Sequence, residues 1–329
     1  MNAATGKMKA AVIYEAGGPE VIKIESRPIP KPRPGEVLIR IKAFGLNRSE
    51  LFTRQGHSPN VKFSRILGIE AVGLVEEAPG GEFPKGARVM TAMGGLGRDI
   101  DGGYAEFTCV SARHIQQIET DLDWKTLGAI PEMLQTTWGS LLTALRLKGG
   151  ERLLIRGGTT SIGLTAAAIA KHHGAIVSAT TRNPDRTELL RGNGADQVFI
   201  DNGAIAGEVR KEYPEGVDKV LELVGTTTLL DSLKCARQQG IVCMTGIVGN
   251  RWSFDRFSPM EAIPSAVCLT VYDGGIADFM RTPYQELIAQ ITDRTLQVRI
   301  GKVFSLDQIV EAHRCMEENK AGGKIVVLT

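Results

Sequence analysis

At 329 residues the chain is about twice the ~150 residues of a typical domain, and two domains are predicted. A composition of 43% hydrophobic and 23% charged residues excludes a disordered or low-complexity protein. With 39 Lys and Arg against 37 Asp and Glu, the formal charge of +2 provides no broad field to gather nucleic acid or an anionic membrane, and neither partner is expected.

The start, Met1 to Lys9, has no basic segment leading into an apolar core, and no apolar run reaches ~18 residues, so a soluble, cytoplasmic protein is expected. Cys109, Cys235, Cys243, Cys268 and Cys315 are odd in number, widely spread and free of any C-x-x-C pair, which predicts reduced thiols.

From Met8 to about Leu122 short alternating or β-branched runs separated by turns (KAAVIY, VIKIES, EVLIRIKAFG, AVGLVEEA, ARVMTAM, GGYAEFTCV) predict a β-rich domain. The proline-rich stretch Arg27–Gly35 reads as an extended connection within it. From Glu151 strands and helices alternate. ERLLIRG, AIVSATT, QVFID, GVDKVLELVG and GIVCMTGI are predicted strands, and SIGLTAAAIAKHH, PDRTELLRG, GAIAGEVRKEY and TTLLDSLKCARQQ the helices between them. Repeated βαβ units require right-handed crossovers, hence an α/β domain with a doubly wound parallel sheet. Beyond Asn250 a strand in SAVCLTVYD and a helix in YQELIAQITDRTL lead to GKIVVLT, a tail that fits either domain.

The strongest chemical signal is Gly157-Gly158-Thr159-Thr160-Ser161-Ile162-Gly163, between the first α/β strand and its helix. Small residues there let the backbone approach a pyrophosphate, which the helix N-terminus receives. It is not a clean G-x-G-x-x-G, since Ser161 stands where a middle glycine is common, but its strand-to-helix position supports dinucleotide binding. About twenty residues on, where a carboxylate would hold the ribose hydroxyls of NAD, the second strand ends in Thr180-Thr181-Arg182-Asn183. A hydroxyl followed by a guanidinium suits a 2′-phosphate, so NADP(H) is predicted, with Arg182 first and Arg186 second; Asp185 is an alternative partner for either arginine.

Taken in order, MKAAVIYEAGGPEVIKIES, PGEVLIRIKAFGLNRSELFTRQG, ILGIEAVGLVE, GGYAEFTCV, TTWGSLLTALRLKGGERLLIRGG, SIGLTAAAIAKHHGA and AGGKIVVLT resemble the medium-chain dehydrogenase/reductase superfamily, and within it the zinc-independent quinone oxidoreductase, zeta-crystallin-like branch. The resemblance implies a GroES-like substrate domain over residues 1–125, with 270–329 returning to it, a Rossmann-type NADP-binding domain over 126–269, and an active-site cleft between them. It sets Asn47, Ile69 and Glu132 at the positions where zinc-dependent relatives carry Cys, His and Cys. An aliphatic side chain cannot bind zinc and Asn is a poor replacement for thiolate, so no catalytic zinc is expected; the lobe that holds structural zinc in relatives has no cysteine here.

Without a Lewis acid, hydride transfer from NADPH needs an acceptor that is already electrophilic, a quinone or other conjugated carbonyl. The resemblance implies that Asn47 contacts the nicotinamide ribose and substrate oxygen, although Asn near Gly45 also suits a turn. Ser49 either donates to substrate or caps the helix Glu50–Arg54. The resemblance aligns Thr136 with a cofactor-contacting threonine of the family and implies that Thr160, Ser161, Ile162 and Gly163 lie under the pyrophosphate, and Thr181 precedes Arg182. Val224, Gly225, Gly246 and Ile247 follow the fourth and fifth α/β strands, and the resemblance implies that Lys324 closes over the nicotinamide side. Trp138 fits the core better than a substrate platform, and Tyr272 fits either a proton donor or a strand surface. The alternatives are a 2-enoyl thioester or alkenal/one reductase on the same scaffold and, in another class, an NADPH-binding sensor or structural protein. The strand Ser265–Tyr272 resembles the edge through which family members dimerise, and a homodimer is expected.

Overall fold

The structure, a computed structural model, describes residues 6–329. Residues 1–5, part of the start on which the expectation of no leader segment was based, lie outside that range. The chain divides into two compact units, the first comprising residues up to Glu132 with Gly275–Thr292 and Ile300–Thr329, the second Met133–Gly274 with Asp293–Arg299.

The first unit is built on β1 (Lys7–Ile13), β2 (Lys23–Pro28), β3 (Glu36–Gly45), β4 (Arg65–Ile66), β5 (Glu70–Glu77), β6 (Arg88–Ala92), β7 (Phe107–Ser111) and β8 (Gln116–Gln117). The second contains β9 (Arg152–Arg156), β10 (Ile176–Thr181), β11 (Gln197–Ile200), β12 (Val217–Glu222), β13 (Ala236–Met244) and β14 (Cys268–Val271). Two late strands, β15 (Ile300–Ser305) and β16 (Lys324–Leu328), belong to the first unit.

In the first unit β1 pairs antiparallel with β2 and β4. The larger sheet runs β15-β16-β3-β5-β6-β8, and β7 also pairs with β3. The C-terminal tail enters here, because β16 lies antiparallel to β3 with Val327 opposite Phe44. Alternation in β3 sends Val37 and Ile39 into a core with Val75, Val89 and Val110.

The second unit is a six-stranded parallel sheet of order β11-β10-β9-β12-β13-β14. Counted within the unit this is 3-2-1-4-5-6, the Rossmann order, which reverses between β9 and β12. Right-handed crossovers put the helices before and after that reversal on opposite faces. Leu154, Val220, Leu233 and Val242 are buried in one core, as near-continuous apolar strands of a covered parallel sheet require.

One predicted helix is shortened. TTLLDSLKCARQQ was expected to be helical to Gln239, but the helix Thr226–Cys235 stops where Ala236 pairs with Val217 in β13. Sheet pairing overrides local propensity there, with Gln239 in the left-handed region at φ 63°. No helix among the described residues is long and apolar enough to cross a membrane.

Candidate active site

After Arg156 the chain turns at Gly157, whose φ of +87° favours glycine, and reaches Thr160, the N-cap of the helix Ser161–His172. The Thr160 hydroxyl accepts the Gly163 N–H at 2.9 Å. A Cβ on Gly163 would stand 2.6 Å from the Gly157 carbonyl oxygen and 2.7 Å from that of Gly158, so this glycine is needed for close packing of helix on strand. By helix geometry the N–H groups of Ser161 and Ile162 have no carbonyl one turn back, and both residues are half-buried. They form an anion-receiving end at the switch point of the sheet.

The neighbouring strand supports this turn. Thr180 accepts the Gly157 N–H on its hydroxyl at 3.0 Å and the Gly158 N–H on its carbonyl at 3.1 Å. The Thr181 hydroxyl receives the Asn183 N–H at 3.1 Å. Arg182 is exposed and Arg186 half-buried, and among the described residues neither is ion-paired. Asp185 pairs with neither arginine; its N–H donates to the Asn183 side chain at 3.0 Å.

Two further strand ends meet nearby. The Gly249 N–H donates to the Val224 carbonyl at 2.8 Å, and a Cβ on Gly225 would lie 3.2 Å from the Gly246 oxygen and the Ile247 Cα. Thr160 to Gly163, Thr181 with Arg182, Val224 with Gly225, and Gly246 with Ile247 therefore share the carboxyl edge of one sheet. Thr136 is on the helix Pro131–Trp138, half-buried, its carbonyl accepting the Ser140 hydroxyl at 2.6 Å. Tyr272 is not a strand-surface residue. It is buried, its ring covers the Cα of Gly139, and its phenol faces the Gln135 carbonyl at 3.5 Å. Half-buried Trp138 meets His173 edge-on at 5.6 Å between centroids.

In the first unit a buried polar cluster gathers around Asn47. The Asn47 amide nitrogen donates to Glu70 at 2.9 Å and Glu50 at 3.3 Å, and its oxygen accepts from the Lys324 ammonium. Lys324 is ion-paired with Glu70 at 3.0 Å and Glu132 at 3.6 Å. Burial opposes its charge, but Glu70 and Glu132 outweigh that and raise its pKa. Glu50 accepts the Asn47 and Ile69 backbone N–H groups at 3.0 Å each, while burial pushes its carboxyl up to about 7.

At the three positions that hold zinc ligands in zinc-dependent relatives, Asn47 is engaged on both amide atoms, Ile69 offers only an aliphatic chain, and Glu132 faces an ammonium. This donor set does not fit zinc. Ser49 is not a helix cap: the helix runs Arg48–Arg54 with Asn47 as its N-cap, and the Ser49 hydroxyl accepts a hydrogen bond from Arg98.

Reading the sequence missed several of these groups. Glu50 was legible, since Asn47 followed three residues later by Glu is a capping pattern. Arg98, at Ser49 only through the fold, left no local signal.

Residues 33–120 match the family model of the alcohol dehydrogenase GroES-like domain, and residues 193–327 that of a zinc-binding dehydrogenase. The chain is 28% identical to a quinone oxidoreductase of Pongo abelii over 99% of both chains. It is 27% identical to a 2-haloacrylate reductase of Burkholderia sp, over 97% of this chain and 98% of that one. Among solved structures, a mycobacterial protein complexed with NADPH superposes with a TM-score of 0.87 at 26% identity, covering 98% of this chain and 100% of that one. The Escherichia coli quinone oxidoreductase complexed with NADPH has the same fold, with a TM-score of 0.88 at 20% identity over 98% and 100% of the two chains. With the parallel six-stranded unit and the β-rich unit that its C-terminal strands complete, these similarities identify the chain as a member of the medium-chain dehydrogenase/reductase superfamily, of the quinone oxidoreductase, zeta-crystallin-like type.

Proposed function

We propose that the protein is a zinc-independent, NADPH-dependent oxidoreductase that reduces quinones or other conjugated carbonyls. In this reading the first unit is the substrate domain, the second is the NADP-binding domain, and the protein works in the cytoplasm. The observation that carries it is the N-terminus of the helix Ser161–His172, capped by Thr160, beside an exposed Arg182 that has no ion pair among the described residues and no carboxylate on the strand tip. NADPH in the solved mycobacterial relative and the quinone oxidoreductases among the relatives support it.

Bound NADPH would supply the hydride. Ser161, Ile162 and Gly163 would hold the pyrophosphate, with Thr160 fixing the helix end by its cap. Arg182, seconded by Arg186, would take the 2′-phosphate, and Thr181 would order the turn that presents them. Thr136, Val224, Gly225, Gly246 and Ile247 would line the remainder of the nucleotide. Asn47 has one lone pair of its amide oxygen engaged by Lys324 and a second to offer a ribose hydroxyl. Lys324 would therefore act on the nicotinamide side by orienting Asn47. Ser49, with Arg98 donating to its oxygen, would direct its own O–H to the acceptor. Such modest donors suffice for a delocalised adduct, which takes its proton from water.

The test is NADPH oxidation by the metal-analysed protein with a small quinone, an enone and an aldehyde, NADH run in parallel. Turnover of quinone or enone, with no stoichiometric zinc and no loss on chelation, is the expected result. Zinc held at one per chain would overturn the metal-free reading. NADPH binding without turnover would favour a sensor. The similarity to a 2-haloacrylate reductase favours a second reading, reduction of an activated carbon–carbon double bond, which faster turnover of the enone or an enoyl thioester than of quinone would establish.

A further inference from the structure

The last residue of β9 is a fully buried arginine in a strand that is otherwise apolar at its centre. Arg156 donates from Nε and Nη2 to the two oxygens of Asp201, each at 2.9 Å. Its Nη1 donates to Asp231 at 2.6 Å, to the Ser232 hydroxyl at 3.1 Å and to the Thr228 carbonyl at 3.3 Å. The guanidinium therefore spans two carboxylates on opposite edges, which the compact ammonium of lysine cannot do with fixed geometry.

Each partner passes the constraint to a different loop. Asp201 accepts the Gly203 N–H at 2.8 Å and the Thr180 hydroxyl at 3.4 Å, and Thr180 in turn receives the first N–H of the phosphate turn, that of Gly157. Asp231 accepts the Ile205 N–H at 2.8 Å and the Ala206 N–H at 3.3 Å. Ser232 and Thr228 donate to one oxygen of Glu222, whose other oxygen holds the N–H groups of Val224 at 2.7 Å and Gly225 at 2.9 Å. One hydrogen-bonded network thus reaches the end of β10 and the segments that follow β9, β11 and β12, where an open parallel sheet binds its ligand.

We propose that Arg156 is a positioning residue of the nucleotide site, setting the relative placement of the phosphate turn and the Val224–Gly225 turn without touching the nucleotide. The proposal rests on NADPH binding at this edge. A buried charge with all three of its nitrogens hydrogen-bonded is held in one arrangement, so the loops inherit that arrangement before ligand arrives.

The experiment measures the NADPH Kd by fluorescence titration for the wild-type protein, Arg156→Lys and Thr180→Val, with melting curves and both Michaelis constants. Arg156→Lys keeps the charge and loses the fork, and about a tenfold weaker Kd is expected. Thr180→Val removes the hydroxyl that links Asp201 to Gly157, leaves the fork of Arg156 on its carboxylates in place, and is expected to weaken Kd several-fold with a nearly unchanged melting curve. The acceptor KM and the NADPH-to-NADH preference stay at the wild-type value in both, since Arg182 is untouched. Kd within twofold of wild type in both folded variants would overturn the proposal and leave the nucleotide reading standing. If Arg156→Lys does not fold, Thr180→Val alone decides. A wild-type protein that does not bind NADPH overturns the nucleotide reading and this inference with it.

Discussion

Arg182 stands exposed one residue beyond buried Thr181, its charge opposed by no carboxylate among the described residues. A guanidinium in that state offers its full donor fork to a phosphate, and a hydrogen bond to a charged group is worth about 1.5–3 kcal/mol. Arg182→Ala is therefore expected to raise the NADPH KM by about 10- to 100-fold while leaving the NADH KM nearly unchanged. Steady-state kinetics with the two cofactors checks this, and an unchanged preference for NADPH would remove the assignment. Asn47 shows how one residue type hides two roles. Its backbone carbonyl accepts the Glu50 N–H at the helix N-terminus at 3.2 Å, while its side-chain amide is committed to Lys324, Glu70 and Glu50.

The helices Arg48–Arg54 and Ile309–Glu317 are far apart in sequence and joined by buried polar groups. Fully buried Arg54 donates to His313 Nδ1 at 3.3 Å, to the Gly17 carbonyl at 2.7 Å and to Glu317. The other nitrogen of His313 meets the Tyr104 hydroxyl at 3.1 Å. Nδ1 must therefore be an acceptor, which requires a neutral ring. Burial first, and then the Arg54 charge, push the His313 pKa from 6.5 down to about 3. The unfolded chain thus binds a proton between pH 6.5 and 3 that the native state refuses. His313 contributes its full stability above pH 6.5 and loses it as pH falls towards 3, on the order of 4 kcal/mol across the window. Urea unfolding of the wild-type protein at pH 7.5 and pH 5 should show about 2 kcal/mol of that loss, and His313→Gln should flatten it. An equal slope in the two proteins would contradict the assignment.

At the scale of the molecule, each unit has its own core, one centred on Val37, Ile39 and Val75 and the other on Leu154, Val220 and Val242. The second unit leaves an edge. Among the described residues β14 pairs only with β13, and Val271 on it is 66% exposed. An open edge of this kind invites pairing with a second copy. The proposed homodimer predicts twice the chain mass by light scattering at micromolar concentration, and Val271→Lys should shift that mass towards the monomer by adding a charge on the edge. A monomeric wild-type mass would contradict the pairing.

The sequence by itself determined the fold class, because period-2 runs before Leu122 and strand-helix alternation after Glu151 are local patterns. It also determined the tight turn from β9 into its helix, because the glycine and threonine requirements there act within seven residues, Gly157 to Gly163. The tail after Asn250 fitted either unit by pattern alone, and the structure divides it, β14 pairing with β13 in the second unit and β16 with β3 in the first. Tertiary structure alone decided which charges meet: Lys324 lies 277 residues from Asn47 in the chain yet donates to its amide, and Arg156 reaches Asp201 and Asp231 across three chain segments. The physical reason is that periodicity reports which face of an element avoids water, whereas a buried charge takes its partner from whatever the folded sheets bring within about 3 Å of it.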